Sequence, residues 1–340
     1  MSEPSLLQID HLRKIFPIGN TGIFRKPSEF VHAVDDVSLT IGRGEVLALV
    51  GESGCGKSTL ALTLLGMESV TAGSIRFEGK EVTQLNAAGL KAMRRHVQMI
   101  FQDPYESLNP LLTIGETVAE PLQVHSLATD KTERRQRVIK ALEDAGLKPA
   151  ASFINRRPHE LSGGQRQRVA IASALVLEPV LLLADEPVSM LDVSIRAEII
   201  NLLADLRRTR GISIIFITHD LNTVAALADR IAVMYLGRIV ELGPTIDVLQ
   251  DPQHPYTKAL LSVAPAPNPR LRRKRIILQG ETPDPIHLPT GCRFHPRCPV
   301  AMAICQTVDP PDVAVSEYHR AACLFAEKST THYEPKGLHV

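Results

Sequence analysis

The sequence carries almost no excess of charge. Its 38 Lys+Arg stand against 37 Asp+Glu, a formal +1, which argues against nucleic acid or an anionic membrane as a partner held by bulk charge. It also has no apolar run of the roughly 18 residues that a membrane helix needs. The nearest candidate, Ile171 to Ala184, is interrupted by Glu178-Pro179. The start, Met1-Ser2-Glu3-Pro4, lacks the basic segment and apolar stretch of a secretory signal, so a cytosolic chain is expected that meets a membrane only through a partner. Cysteine is scarce, five in 340 residues, and no internal repeat is evident. Four of those five (Cys292, Cys298, Cys305, Cys323) fall in the last 49 residues. In a reducing compartment such a cluster reads as metal binding before it reads as disulfides.

What is present is ordinary for a globular protein: 44% apolar and 22% charged residues. At about 150 residues per domain the length suggests two domains. Val46 to Val50, Val180 to Ala184 and Ile212 to Thr218 are short continuous apolar runs, the pattern of strands buried on both faces. They alternate with helical patterns, Lys57 to Gly66 and Lys131 to Ala145 among them, which predicts an α/β core with a largely parallel sheet. The composition changes after Val263. Ten of the 24 prolines lie between Pro265 and Pro311, so a boundary is expected near 263/264, with a small Pro- and Cys-rich appendage over 264–340. The basic run Arg270 to Arg275 beside that boundary reads as a solvated segment, with contact to anionic lipid headgroups as the alternative.

Gly51-Glu52-Ser53-Gly54-Cys55-Gly56-Lys57-Ser58-Thr59 fits G-x-x-x-x-G-K-[ST] between an expected strand and an expected helix. Glycines let the backbone curl until successive N–H groups face phosphate oxygens, and the helix N-terminus adds positive potential. Lys57 then reaches the β- and γ-phosphates and Ser58 offers a hydroxyl to Mg²⁺. Cys55 reads as a small loop residue. Downstream, Leu181-Leu-Leu-Ala-Asp185-Glu186-Pro187 sets two acids at the end of a buried strand. Asp185 suits the Mg²⁺ shell and Glu186 suits a general base that polarises water. His219 closes the third apolar strand and reads as a sensor of phosphate.

Between these sites stands Leu161-Ser162-Gly163-Gly164-Gln165. With the phosphate loop before it and the Asp-Glu pair after it, the chain resembles the ABC ATPases over about residues 5–263. The resemblance implies a P-loop ATPase core with a helical subdomain at about 103–175. It implies that Gln102, in Phe101-Gln102-Asp103-Pro104, joins Ser58 and Asp185 at Mg²⁺. Ser189-Met190-Leu191-Asp192 matches the family's D-loop, and Phe16 is the best match for the aromatic that stacks on adenine. The family dimerises head to tail, so that Leu161, Ser162, Gly163, Gly164 and Gln165 of one subunit would cover ATP held by the other.

Three readings follow from that resemblance: the motor subunit of a membrane importer, a soluble ABC ATPase of translation or DNA repair, and a regulatory module without turnover. One cassette, no room for an inserted coiled coil, and the presence of both Glu186 and His219 favour the importer. Phe101-Gln-Asp-Pro-Tyr105-Glu-Ser-Leu108-Asn109-Pro110 and His254-Pro-Tyr256-Thr257 resemble the peptide and nickel importer ATPases. The resemblance implies a second ATPase, related or identical, two permease subunits, and indirectly an extracytoplasmic substrate-binding protein, with the chain peripheral on the cytoplasmic face of the inner membrane. Tyr105, Leu108 and Asn109 are expected permease contacts. Nickel, glutathione or another small solute are alternative cargoes.

The tail reads C-x₅-C-x₆-C-x₁₇-C. Four thiolates can hold Zn²⁺ or a [4Fe–4S] cluster. Some members of the resembled group bind an iron–sulfur cluster with this tail, which makes the cluster the leading expectation, with zinc and unligated thiols as alternatives. His287, His295 and His319 are spare ligands, and the tail is expected to dock on the partner ATPase.

Overall fold

The computed structural model describes residues 5–19, 28–263 and 275–326. The expected linker 264–269, Arg270 to Lys274 of the basic run, and residues 20–27 after Phe16 lie outside them. β1 (Leu7–Ile18) and β2 (Glu29–Ile41) pair antiparallel, with Leu7 opposite Ile41. β3 (Val46–Val50) follows, then the phosphate loop, α1 (Lys57–Leu64), β4 (Ala72–Phe77) and β5 (Lys80–Glu81). α2 (Ala87–His96), capped by Asn86, leads into β6 (Val97–Ile100). A helical lobe comes next: α3 (Pro104–Ser107), α4 (Ile114–Val124), α5 (Lys131–Asp144) and α6 (Gly163–Leu175). β7 (Leu181–Asp185), α7 (Val193–Arg210), β8 (Ser213–Thr218), α8 (Leu221–Leu227), β9 (Arg230–Tyr235) and β10 (Arg238–Pro244) return to the core. α9 (Thr245–Gln250) and α10 (Pro255–Val263) close it, and the tail adds β11 (Val313–Ala314) and β12 (Arg320–Ala321).

Two sheets result. One is antiparallel, in order β2-β1-β4-β5; the other is mixed, in order β11-β12-β10-β9-β3-β8-β7-β6. In the second, β9, β3, β8, β7 and β6 run parallel and the tail side is antiparallel. β3, β7 and β8 are buried at every position because both faces are covered. Leu47, Leu183 and Ile215 pack towards the antiparallel sheet, while Ile214, Phe216 and Leu182 pack towards the helical lobe. A third apolar cluster joins Tyr235, Tyr256 and Phe294, and so ties β9, α10 and the tail together.

The tail also enters the core sheet. β12 pairs with β10, Glu241 opposite Ala321, which covers a strand edge that would otherwise present unpaired backbone groups. At the other end of the parallel strands, β3, β6, β7 and β8 all finish on one side. Open α/β sheets bind their ligands at that carboxyl end.

Candidate active site

The phosphate loop leaves β3 and enters α1. Two of its glycines are required by close approach: a Cβ on Gly51 would lie 2.2 Å from the Met234 carbonyl oxygen, and one on Gly56, at φ +106, would lie 2.0 Å from that of Ala33. Lys57 is buried, and its Nζ donates to the carbonyl oxygens of Gly51 at 2.8 Å and Glu52 at 2.9 Å. The ammonium is thus held inside the loop on neutral acceptors. Cys55 is buried, and burial pushes its thiol pKa up, consistent with a packing residue. Ser53, Gly54 and Thr59 complete the loop and the first turn of α1.

Asp185 ends β7 and is 6% exposed, and its Oδ1 has no hydrogen-bond partner among the described residues. Burial pushes its carboxyl pKa up and Glu186 adds to this, against a hydrogen bond from Ser58 and the charge of Lys57. A buried carboxylate with a free oxygen, bonded to the hydroxyl that opens α1, is a fitting seat for a divalent cation. Glu186 follows with φ +44, a left-handed conformation unusual for a side chain of this size. Its carboxylate lies between two residues from neighbouring strand ends. Gln102 Nε2 donates to Oε2 at 3.1 Å, and His219 Nδ1 lies 3.2 Å from Oε1. Lys57, Ser58, Gln102, Asp185, Glu186 and His219 therefore gather at one sheet end, though 162 positions separate the first from the last.

The segment 161–165 is elsewhere. Ser162 caps α6, accepting from Gln165 N at 3.3 Å, while Gln165 Oε1 accepts from Ser162 N at 3.1 Å. This reciprocal box holds the helix start open, with Ser162 exposed and Leu161 buried. A Cβ on Gly164 would sit 2.6 Å from Ile195 Cγ2. Among the described residues no hydrogen bond joins 161–165 to 51–59. In residues 189–192, Ser189 Oγ donates to the Glu186 carbonyl at 3.1 Å, Leu191 is buried, and Asp192 is the N-cap residue of α7. Phe16 is half-buried in β1, with Lys14 Nζ 4.5 Å from its ring centre.

One expectation is corrected. Leu108 is 4% exposed and packs in the main core, so it is no surface contact. Asn109 and Tyr105 are exposed, and Leu111, which the sequence reading passed over, is 75% exposed.

In the tail, Cys292, Cys298, Cys305 and Cys323 line one small pocket with His254, Phe294 and His295. All four are free thiols, and burial pushes up the pKa of Cys292, Cys298 and Cys323. Among the described residues no three His, Cys, Asp or Glu converge on a point that one metal ion could occupy. The spare histidines have other partners. His319 Nε2 lies 2.8 Å from buried Glu241, His287 faces Asp284, and His295 Nδ1 lies 2.9 Å from the Cys292 carbonyl.

The sequence reading missed the contacts between this tail and the loop. Arg297 pairs with Glu52 at 2.7 Å, Arg293 pairs with Asp35, and Tyr256 Oη accepts the Glu52 N–H at 2.8 Å. No local pattern marks such pairs.

Comparison with known proteins bears on this arrangement. Residues 34–189 match the family model described as ABC transporter, and residues 240–305 match that described as oligopeptide/dipeptide transporter, C-terminal region. The chain is 45% identical over 335 residues to a probable peptide ABC transporter ATP-binding protein, y4tS, of Sinorhizobium fredii, covering 98% of this chain and 94% of that protein. It is 46% identical over 323 residues to the oligopeptide transport ATP-binding protein OppF of Haemophilus influenzae, covering 94% and 96%. Among solved structures, the dimeric post-hydrolysis state of the ATP-binding cassette MJ0796, bound to ADP and Pi, has a TM-score of 0.63 at 32% identity, covering 70% of this chain and 98% of that one.

Proposed function

Because the chain belongs to the family of peptide ABC transporter ATP-binding proteins, we propose that it is the ATP-hydrolysing motor of an importer for di- or oligopeptides. The observation that carries hydrolysis is the Glu186 carboxylate held between Gln102 and His219, one residue after Asp185. Residues 51–59 wrap the phosphates with backbone N–H groups, and Lys57 turns its ammonium from the loop carbonyls to the phosphate oxygens. Mg²⁺, held by Ser58, Asp185 and Gln102, would neutralise charge on those oxygens. Glu186 accepts a proton from the attacking water while His219 moves to the γ-phosphate. Phe16 is the residue proposed to stack on the adenine.

In this reading, residues 5–263 form the ATPase domain, with its helical subdomain at about 103–175, and 264–340 form an extension. Leu161 to Gln165 cover the ATP of a second ATPase subunit, with Ser189, Leu191 and Asp192 at the seam. Permease subunits receive the motion, and the chain works at the cytoplasmic face of the inner membrane. No helix among the described residues is long and apolar enough to cross a membrane, so the permeases carry the path. The soluble reading in translation or repair is not favoured, since the full-length relatives cited are peptide transport proteins.

The test uses tagged full-length chain, wild type and Glu186→Gln, purified from native membranes in mild detergent. Removing a general base should slow phosphate release by about 10²–10⁴-fold, with ATP binding retained and a closed dimer trapped. Wild-type preparations should bring two permease subunits and an ATPase partner. Unimpaired turnover in Glu186→Gln would remove that residue from the mechanism, and recovery with soluble partners alone would overturn the transport reading.

A second proposal concerns the cysteine pocket. What speaks for a [4Fe–4S] cluster is that four free thiols line one small pocket, with Zn²⁺ as the alternative. Cys292, Cys298, Cys305 and Cys323 would hold it, and its role here is structural. Anaerobically purified protein should be brown, with about four irons per chain, and Cys298→Ser/Cys305→Ser should lose them. Colourless, iron-free protein with all its thiols titratable would end this proposal.

A further inference from the structure

The phosphate loop carries an acid at its second position, where a polyanion is to be bound. Glu52 does not point freely into that site. Arg297 Nη1 donates to its Oε2 at 2.7 Å and Arg297 Nη2 to its Oε1 at 3.1 Å, and Thr282 Oγ1 donates to Oε2 at 2.8 Å. The Glu52 backbone N–H donates to Tyr256 Oη at 2.8 Å. Arg297 and Thr282 belong to the tail and Tyr256 to α10. The Arg297 side chain is 9% exposed and that of Glu52 28%, so the pair is partly shielded. Its guanidinium lies 5.9 Å from the Tyr235 ring centre, above the packed rings of Tyr235, Tyr256 and Phe294.

The chemistry of this contact is specific. Lys57 already donates to the Glu52 carbonyl, so a freed Glu52 carboxylate would be close to the ammonium that must serve the phosphates. It would compete for Lys57 and repel the incoming anion. A two-point guanidinium pair fixes the carboxylate in one orientation and cancels its charge, which a single-point cation does less completely. Tyr256 fixes the backbone at the same residue.

We propose that Arg297 is a positioning residue for nucleotide: reaching from the cysteine tail, it holds Glu52 away from Lys57 and so sets the affinity of the phosphate loop for ATP. The proposal rests on the ATPase reading above. It extends that reading by making the tail part of the nucleotide site rather than an appendage to it.

The experiment measures ATP turnover and binding of a fluorescent ATP analogue by the full-length chain. Arg297→Gln should raise the KM for ATP about tenfold with kcat within about twofold, the scale of one charge-assisted contact. Adding Glu52→Gln to Arg297→Gln should bring KM back to within about threefold of wild type, since the neutral amide no longer competes for Lys57. Arg297→Lys should fall between wild type and Arg297→Gln. A residue with only a structural role would lower kcat and thermal stability, and the second substitution would not rescue it. That result, or an unchanged KM in Arg297→Gln, overturns the proposal. If Arg297→Gln does not fold, Thr282→Val tests the same grip: about a threefold weaker affinity for the analogue supports it, and unchanged affinity overturns it. Wild-type chain with no affinity for ATP would overturn the functional reading, and this proposal with it. A measurable wild-type KM that Arg297→Gln leaves unmoved overturns this proposal alone.

Discussion

Asp35 and Asp185 are buried to nearly the same degree, 7% and 6% exposed. Their surroundings differ in kind. Asp35 in β2 is met by Arg293 from the tail, with Arg13 at 3.3 Å and Arg238 at 3.9 Å. Burial pushes its carboxyl pKa up, but the Arg293 hydrogen bond and the three guanidinium charges outweigh it and hold the pKa below the ordinary value. Asp185 has one hydroxyl, a lysine that points elsewhere, and an oxygen with no partner among the described residues, and its pKa is raised. Where both oxygens meet guanidinium groups, the acid serves the fold. Where one is left open, the fold carries a destabilising group that a ligand can relieve.

Substitution should therefore have opposite signs at the two positions. Asp35→Ala leaves Arg293 buried without its partner and should cost about 3–5 kcal/mol in urea unfolding. Asp185→Asn removes a desolvated charge and should stabilise the nucleotide-free chain by about 1 kcal/mol, while ATP turnover collapses. If Asp185→Asn destabilised the chain as much as Asp35→Ala, the contrast would be lost.

An effect smaller than that of Asp35→Ala sharpens the same contrast with a group satisfied in only one protonation state. His254 is fully buried, its Nδ1 accepts the Tyr256 N–H at 3.1 Å, and burial lowers its pKa to about 4. The unfolded chain takes up the proton near pH 6.5 and the folded chain only near 4, so stability is present above pH 6.5 and declines as pH falls through this window. Between pH 7 and pH 5 this group should remove about 2 kcal/mol. His254→Gln should flatten that part of the pH–stability curve, and an unchanged curve would refute the assignment.

The gathering of Gln102, Glu186 and His219 at one sheet end was legible in the sequence because each motif is local. A buried strand, a turn and a helix start are written in consecutive residues, and parallel strands bring their ends together. Leu108 was misread because its motif says which residues stand together, whereas which of them point inward is decided by how α3 meets α6. The clamp of the tail was not legible at all. Arg297 and Glu52 are 245 positions apart, and Arg293 and Asp35 are 258 apart. Nothing in either neighbourhood marks one arginine among many as a partner. The pairing of β12 with β10 is equally silent, since a two-residue strand has no periodicity to detect.

That same separation has a consequence in time. A ribosome that adds about 5–20 residues per second delivers Arg297 roughly 12–50 s after Glu52, across the 245 intervening positions. Through that interval Glu52 stands without the guanidinium that grips it, and the β10 edge, once made, waits in turn for β12. The nascent core thus waits for residues far downstream of the loop, and the grip on Glu52 forms only once Arg297 has been made.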